Sequence, residues 1–351
     1  MHNGKAVITI VGSGQMGSAM TYPARENGHE VRLVGTPLDR EIIDEALKTR
    51  MHKNLKRKLP DGIQYFQIED LGKALAGADL LIGGVSSFGV DWFMEKVLPL
   101  VPESLPVLSV TKGMQDTPEG DLIPYPWLYR TKAGNKKISL NAVGGPCTSY
   151  ELADHDNTEV CFCGDDMELL RKFKSWLETS YYHISLSTDV LGVECAVALK
   201  NAYALGVSLA IGLSEKVEGV GGKLHYNSQA ALFGQSVKEM RRILTLCGAG
   251  DDNIIFGAGD LYVTIFGGRT RFIGTLLGRG LSFEKAMEEL RGVTLESIVI
   301  AKRTAAAIRK RIARGKVKAE DFPLLMHIDD IISNGAPVNI PWKMFESETV
   351  K

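Results

Sequence analysis

Three glycines and one lysine stand where chemistry could use them. Gly12, Gly14 and Gly17 in "IVGSGQMG" keep a G-x-G-x-x-G spacing. Each glycine would meet a separate need. Gly12 permits a tight turn, Gly14 lets the backbone approach a pyrophosphate, and Gly17 lets a helix close on the preceding strand. The N–H groups that open such a helix offer partial positive charge to phosphates. The stretch follows a β-branched run, "KAVITIVG", and opens a helical pattern, so it predicts a dinucleotide site at Gly12, Ser13, Gly14, Gln15, Met16 and Gly17. The lysine is Lys200. In "LGVECAVALKNAYALGVSLAIGL", residues 191–213, it and Glu194 are the only charges in a run of small apolar residues. The run is long enough for a membrane span. Its two charges, Asn201 and the many Ala, Gly and Ser residues instead predict a helix at the centre of a helical domain. A lysine there demands a reason; pairing with Glu194 or snorkelling to the surface would be the plain ones.

The elements that must hold these residues are legible in the periodicity. Runs at 5–12, 31–35, 63–66, 78–85, 106–111, 138–145, 158–164 and 181–187 predict strands, with helical patterns between several of them, as at 89–100 and 166–179. That alternation predicts a doubly wound α/β domain of Rossmann type. Beyond residue 188 helical segments dominate: 190–213, 226–248, 258–267, 282–291, 294–314 and 322–334. The expected division is a dinucleotide-binding domain over 1–188 and an all-α substrate domain over 189–351, with Ser187 or Thr188 capping the first long helix. A chain of 351 residues suits two cores rather than one.

Composition sets outer limits. With 44% hydrophobic and 24% charged residues the chain reads as a globular protein, and a net charge of −1 gives no general attraction to nucleic acid or anionic membrane. Two basic stretches, "KTRMHKNLKRK" and "RKRIARGKVK", read as solvated surface. Five cysteines (Cys147, Cys161, Cys163, Cys195, Cys247) form no metal pattern, and their odd number fits reduced thiols in a cytoplasm. No metal, nucleic-acid partner or membrane span is expected. At the second strand end, where a ribose-binding acid would stand, the chain reads "VGTPLDREI". Asp39 would suit the 2′-hydroxyl of NAD and Arg40 the 2′-phosphate of NADP, so both cofactors stay open.

Motifs in order along almost the whole chain resemble the NAD(P)-dependent glycerol-3-phosphate dehydrogenase family. They are "VGSGQMGSAM", "KLPDGI", "ADLLIGGVSS", "SVTKGM", "GGPCTSYELA", "GVECAVALKNAYALGVSLAIGL", "NSQAALFGQSVKEMRRI" and "GAGDLYVTIFGGRTRFIG". The resemblance implies the same two-domain fold, usually as a homodimer, and hydride transfer between the nicotinamide and C2 of a three-carbon phosphate. It gives Lys200, in "ALKN", the part of general acid/base, since a lysine in a partly dry site can serve in both directions. It makes Lys112 a second active-site lysine and places Asp260 and Thr264 near the reacting centre. It puts Arg269, with Asn201 and Thr270, on the phosphorylated substrate. Thr36 and Ser86 join the expected cofactor contacts. The chain also departs from the family: Thr270 replaces an asparagine, Cys147-Thr148-Ser149 replaces a hydroxyl-aromatic-alanine segment, Ser86 replaces a proline, and Gln235 replaces an arginine. These changes keep open a relative acting on another polyol phosphate or a β-hydroxy acid, and, less favoured, a dinucleotide sensor without turnover.

Overall fold

The computed structural model describes residues 4–134 and 136–346. Eight strands form one sheet: β1 (Val7–Val11), β2 (Glu30–Val34), β3 (Ile63–Phe66), β4 (Leu80–Gly83), β5 (Val107–Ser109), β6 (Leu140–Gly144), β7 (Thr158–Cys163) and β8 (Tyr182–Ser187). Their order is β8-β7-β6-β5-β4-β1-β2-β3, parallel from β6 to β3, with β6 and β7 antiparallel and β7 and β8 parallel. Each strand matches one of the eight runs read from the sequence. The reason is visible in the packing. Leu80 and Ile82 of β4 join one apolar core while Leu81 joins the other, and β5 divides Leu108 from Val107 in the same way. A strand buried on both faces must be apolar at every position, which makes it a continuous run.

The chain falls into two compact units, residues Met1–Lys112 with Pro124–Glu194, and Gly113–Ile123 with Cys195–Lys351. This differs from the division expected at 188/189 in two ways. The first turn of the long helix α2 (Val190–Glu218) counts with the sheet, and an excursion after Lys112 belongs to the helices. The excursion carries a small hairpin, Met114–Asp116 with Leu122–Pro124, too short to show a period in sequence. It is anchored by residues far along the chain. Arg303 donates to the Met114 carbonyl (2.8 Å), Lys310 pairs with Asp116 (2.7 Å), and Arg311 bonds the Gly120 carbonyl (2.8 Å) and Asp121 (2.6 Å). The second basic stretch is therefore largely structural at its start. Neither Ser187 nor Thr188 caps α2. Asp189 does, its carboxylate accepting from the Gly192 N–H at 2.8 Å, while the Ser187 hydroxyl accepts from the Asp189 N–H.

The helical unit adds α3 (Tyr226–Leu246), α4 (Ile254–Gly267), α5 (Thr270–Arg279), α6 (Phe283–Glu289), α7 (Glu296–Ala313) and α8 (Pro323–Asn334). α2 is the one helix among the described residues long and apolar enough to cross a membrane, yet its most apolar window is 89% buried inside the fold. Helix α5 was not expected, because "TRFIGTLLGRG" reads as glycine-broken. The glycines are there for contact. A Cβ on Gly278 would lie 2.2 Å from the Leu209 carbonyl, and one on Gly212 would lie 2.1 Å from that of Thr275. α2 and α5 thus cross almost backbone to backbone.

A buried carboxylate ties the unit together. Glu239 of α3 accepts from the Tyr203 hydroxyl (3.0 Å), the Gln235 amide (2.7 Å) and the Leu324 and Leu325 N–H groups (2.8 and 3.0 Å) at the start of α8. It supplies acceptors to otherwise orphaned helix-opening donors. Burial pushes this carboxyl above the ordinary range, against the pull of those donors. Gln235 provides one of the bonds without a charge. Glu239→Ala would strand several buried donors and is expected to lower unfolding stability by about 3 kcal/mol, read from urea midpoints. Gln235→Ala, which removes one donor, should cost about 1 kcal/mol.

Candidate active site

The sheet unit carries a cleft of about 430 Å³ lined by Gly12, Gly14, Thr36, Asp39, Gly84, Ser86, Phe88 and Trp92, among others. Its floor is made by close backbone packing. Gly12 has φ +106°, and a Cβ there would lie 2.7 Å from the Gly84 carbonyl carbon; a Cβ on Gly17 would lie 2.0 Å from the Gly12 oxygen. Gly14 has nothing within 4 Å of its Cβ position. Two of the three glycines are needed for packing, and the third leaves open space at the start of α1 (Gln15–Ala19). That is the shape a pyrophosphate requires, and the residues present fit a dinucleotide.

The loop is braced from two sides. The Asp39 carboxylate accepts from the Ser13 N–H (3.2 Å), the Thr36 N–H (2.9 Å) and the Thr36 hydroxyl (2.8 Å), all on one oxygen. His52 takes the Leu55 N–H on Nδ1 (2.9 Å), so its Nε2 carries the proton and donates to the Ser13 carbonyl at 2.8 Å. Sequence reasoning missed His52, which hides in the first basic stretch, on a two-residue strand (Met51–His52). Of the two residues weighed for the ribose, Asp39 lines the cleft while Arg40 pairs with Glu69 at the surface. The remaining expected cofactor residues separate. Ser13 is buried behind the turn, Gln15 is exposed and bonds the Asn54 carbonyl (2.9 Å), and Met16 borders a different cavity.

That second cavity is small and apolar, lined by Met16, Met20, Val110, Lys112, Gly145, Cys147 and Tyr182, among others. Lys112 follows β5 at the carboxyl end of the parallel strands, where ligands of such folds collect. Its ammonium donates to the Gly145 carbonyl at 2.6 Å. Gly145 and Cys147 were not singled out as site residues, although "GGPCTSYELA" carried the signal.

In the helical unit the lysine finds its reason. The Lys200 ammonium donates to the Asp260 carboxylate at 2.9 Å and to the Thr264 hydroxyl at 2.8 Å. The Lys200 side chain is 13% exposed and that of Asp260 4%. Thr264 donates its own proton to the Asp260 carbonyl at 2.8 Å, which leaves its lone pairs to face Lys200. The geometry is set one turn earlier. A Cβ on Gly257 would lie 2.7 Å from the Ala196 carbonyl, so α4 lies tight against α2 there. Continuing both helices brings position 260, then 264, beside position 200. Asn201 is buried beside the lysine in sequence. Arg269 is exposed at the N-cap of α5, followed by the buried Thr270. The structure thus brings Lys200, Asp260 and Thr264 together and presents Arg269 separately, at the end of the loop after α4. Among the described residues no group of His, Cys, Asp and Glu could hold a metal ion.

A dinucleotide cleft on a doubly wound sheet, with a lysine–carboxylate pair in a helical unit, defines a nicotinamide-dependent dehydrogenase class. The comparisons make this particular. The family model for the N-terminus of NAD-dependent glycerol-3-phosphate dehydrogenase matches residues 7–170, and that for its C-terminus matches 189–342. The chain belongs to that family. It is 34% identical over 294 residues to the NADP(+)-dependent glycerol-3-phosphate dehydrogenase of Archaeoglobus fulgidus, covering 82% of this chain and 85% of the relative. It is 26% identical to the glycerol-3-phosphate dehydrogenase [NAD(P)+] of Shouchella clausii, over 93% of this chain and 92% of that one. Among solved structures, the Plasmodium falciparum glycerol-3-phosphate dehydrogenase superposes with a TM-score of 0.83 at 21% identity, over 99% and 97% of the two chains. That of Coxiella burnetii gives 0.78 at 20%, over 97% and 98%.

Gly257→Ala should push α4 from α2 and loosen the grip on Lys200. The expected result is a fall in kcat of at least about tenfold with a stability loss of about 1–3 kcal/mol, followed by steady-state kinetics and thermal melts.

Proposed function

We propose that the chain catalyses the reversible reduction of dihydroxyacetone phosphate to sn-glycerol 3-phosphate with NADH or NADPH. Lys200 is the general acid/base and Arg269 the phosphate anchor. The observation that carries the reading is the Lys200 ammonium held between Asp260 and Thr264 in a nearly closed interior. The nicotinamide, when bound, supplies the hydride that C2 receives. Everything else falls to side chains. As C2 is reduced, its carbonyl oxygen becomes an alkoxide, and Lys200 hands it the proton; in oxidation the neutral amine takes the proton back. Asp260 holds the ammonium by charge, and the Thr264 lone pair fixes a second direction, so the ammonium keeps a set orientation rather than rotating. Arg269 offers a planar fork to the phosphate, with Thr270 adding a hydroxyl and Asn201 a side-chain amide to the substrate. Lys112 adds a positive charge for the same anionic substrate. Gly12, Gly14, Thr36 and Ser86 hold the dinucleotide.

A second reading, another anionic ketone as substrate, is favoured by Cys147 in the cavity beside Lys112. Reduction of a different ketose phosphate well above that of dihydroxyacetone phosphate would select it. None of the five cysteines is in a disulfide, which supports a reducing, cytoplasmic setting, and the resemblance supports a homodimer.

Lys200→Met is expected to lower kcat by about 10²–10⁴-fold while cofactor affinity, measured by NADH fluorescence, stays within about twofold. Arg269→Ala should chiefly raise KM for dihydroxyacetone phosphate, by about 10- to 100-fold. Unchanged kinetics in Lys200→Met would end the proposal.

A further inference from the structure

A short hairpin, Met51–His52 paired with Arg57–Lys58, is docked on the segment that carries the glycine turn. Three side chains join them. The His52 Nε2–H donates to the Ser13 carbonyl at 2.8 Å, the Gln15 amide to the Asn54 carbonyl at 2.9 Å, and the Tyr22 hydroxyl to the Lys58 carbonyl at 3.0 Å. The first bond reaches the turn itself. His52 is fully buried and is not among the residues that line the cleft. Its ring is set from inside the hairpin, where Nδ1 accepts from the Leu55 N–H at 2.9 Å. The Ser18 hydroxyl also donates to the Ser13 carbonyl, but at 3.2 Å and from the same segment. His52 holds that carbonyl from outside it.

A planar trans peptide carries its C=O and its N–H on opposite sides. The Ser13 carbonyl and the Gly14 N–H share one such plane, so turning the carbonyl toward His52 turns the N–H the other way. Gly14 lines the cleft, with open space about its Cβ position. Glycine offers little resistance to rotation of the plane. A flipped plane would present a carbonyl oxygen to the pyrophosphate in place of a donor. We propose that His52 is a positioning residue for the dinucleotide: by holding the Ser13 carbonyl back, it keeps the Gly14 N–H directed at the pyrophosphate. The Asp39 carboxylate holds the preceding plane through the Ser13 N–H at 3.2 Å, so both peptides that flank Ser13 are pinned. The inference rests on the reading of the cleft as a dinucleotide site. Its effect falls on the diphosphate, since adenosine needs no donor from this plane.

The test compares His52→Leu, which fills the space without a donor, with His52→Gln, whose amide restores one. Calorimetry gives Kd for ADP, which carries the diphosphate, and for adenosine, which lacks it. His52→Leu should weaken ADP about tenfold and adenosine by less than about twofold, with ADP binding recovered in His52→Gln. In steady-state kinetics the loss should fall on KM for NADH rather than on kcat. A role in folding alone would weaken both ligands or neither, and either result overturns the proposal. A glutamine chain as weak as the leucine chain overturns it too. If the leucine chain does not fold, the wild type still decides, by proton exchange at His52 Nε2 in isotope-labelled histidine. That signal, identified by its loss in His52→Gln, should exchange more slowly with saturating ADP but not with adenosine. Equal exchange with and without ADP overturns the proposal. A wild-type chain that binds neither ADP nor NADH would end the dinucleotide reading itself. If it binds both, and His52→Leu binds ADP equally well, only the His52 inference fails.

Discussion

The distance between two helix backbones decides what this protein can do. Where α4 meets α2, the absence of a side chain at Gly257 lets one helix rest on the Ala196 carbonyl of the other. One turn on, that closeness becomes a 2.9 Å bond between an ammonium and a carboxylate. A methyl group at position 257 would be paid out downstream as misalignment of charges. α5 repeats the device against the same helix with Gly278 and Gly212. The central helix is apolar because it is enclosed, and it is enclosed tightly because its neighbours bring glycine to the crossings. Lys200 can be dry because its partners arrive on rails.

Much of this was legible beforehand, for stated reasons. The inner strands β1, β4, β5 and β6 could be read because each is buried on both faces, so burial alone writes a nearly continuous apolar run. Gly12, Gly14 and Gly17 could be read because their spacing follows from backbone geometry. Lys200 could be noticed because a charge is costly in such surroundings. The resemblance added Asp260, Thr264 and Arg269. Nothing local in "GAGDLYVTIFGGRTR" says that its aspartate meets a lysine sixty positions earlier.

What escaped reading escaped for physical reasons as well. Helix α5 was hidden because its glycines serve a tertiary contact while local propensity counts them as breaks. The short hairpin strands leave no period to detect. His52 works through one carbonyl of the glycine turn, and no spacing rule connects it to residue 13. The cap of α2 went to Asp189 rather than its hydroxyl neighbours, because the carboxylate reaches the Gly192 N–H while Ser187 bonds Asp189 itself. In each case the deciding partner lies off the segment or one residue beside the expected one.

The excursion 113–123 has a bearing on how the chain comes into being. It is synthesised long before Arg303, Lys310 and Arg311, the cations that fasten it. As the chain leaves the ribosome, the sheet unit receives its strands in order, but this piece has no counterpart to dock on until the last helices appear. The helical unit therefore closes late, over a loop of nearly two hundred residues. The chain beyond Lys112 must wait untethered. Non-local closure of that kind slows folding, and here it makes the assembly of the helical unit depend on a segment made nearly two hundred residues before its anchors.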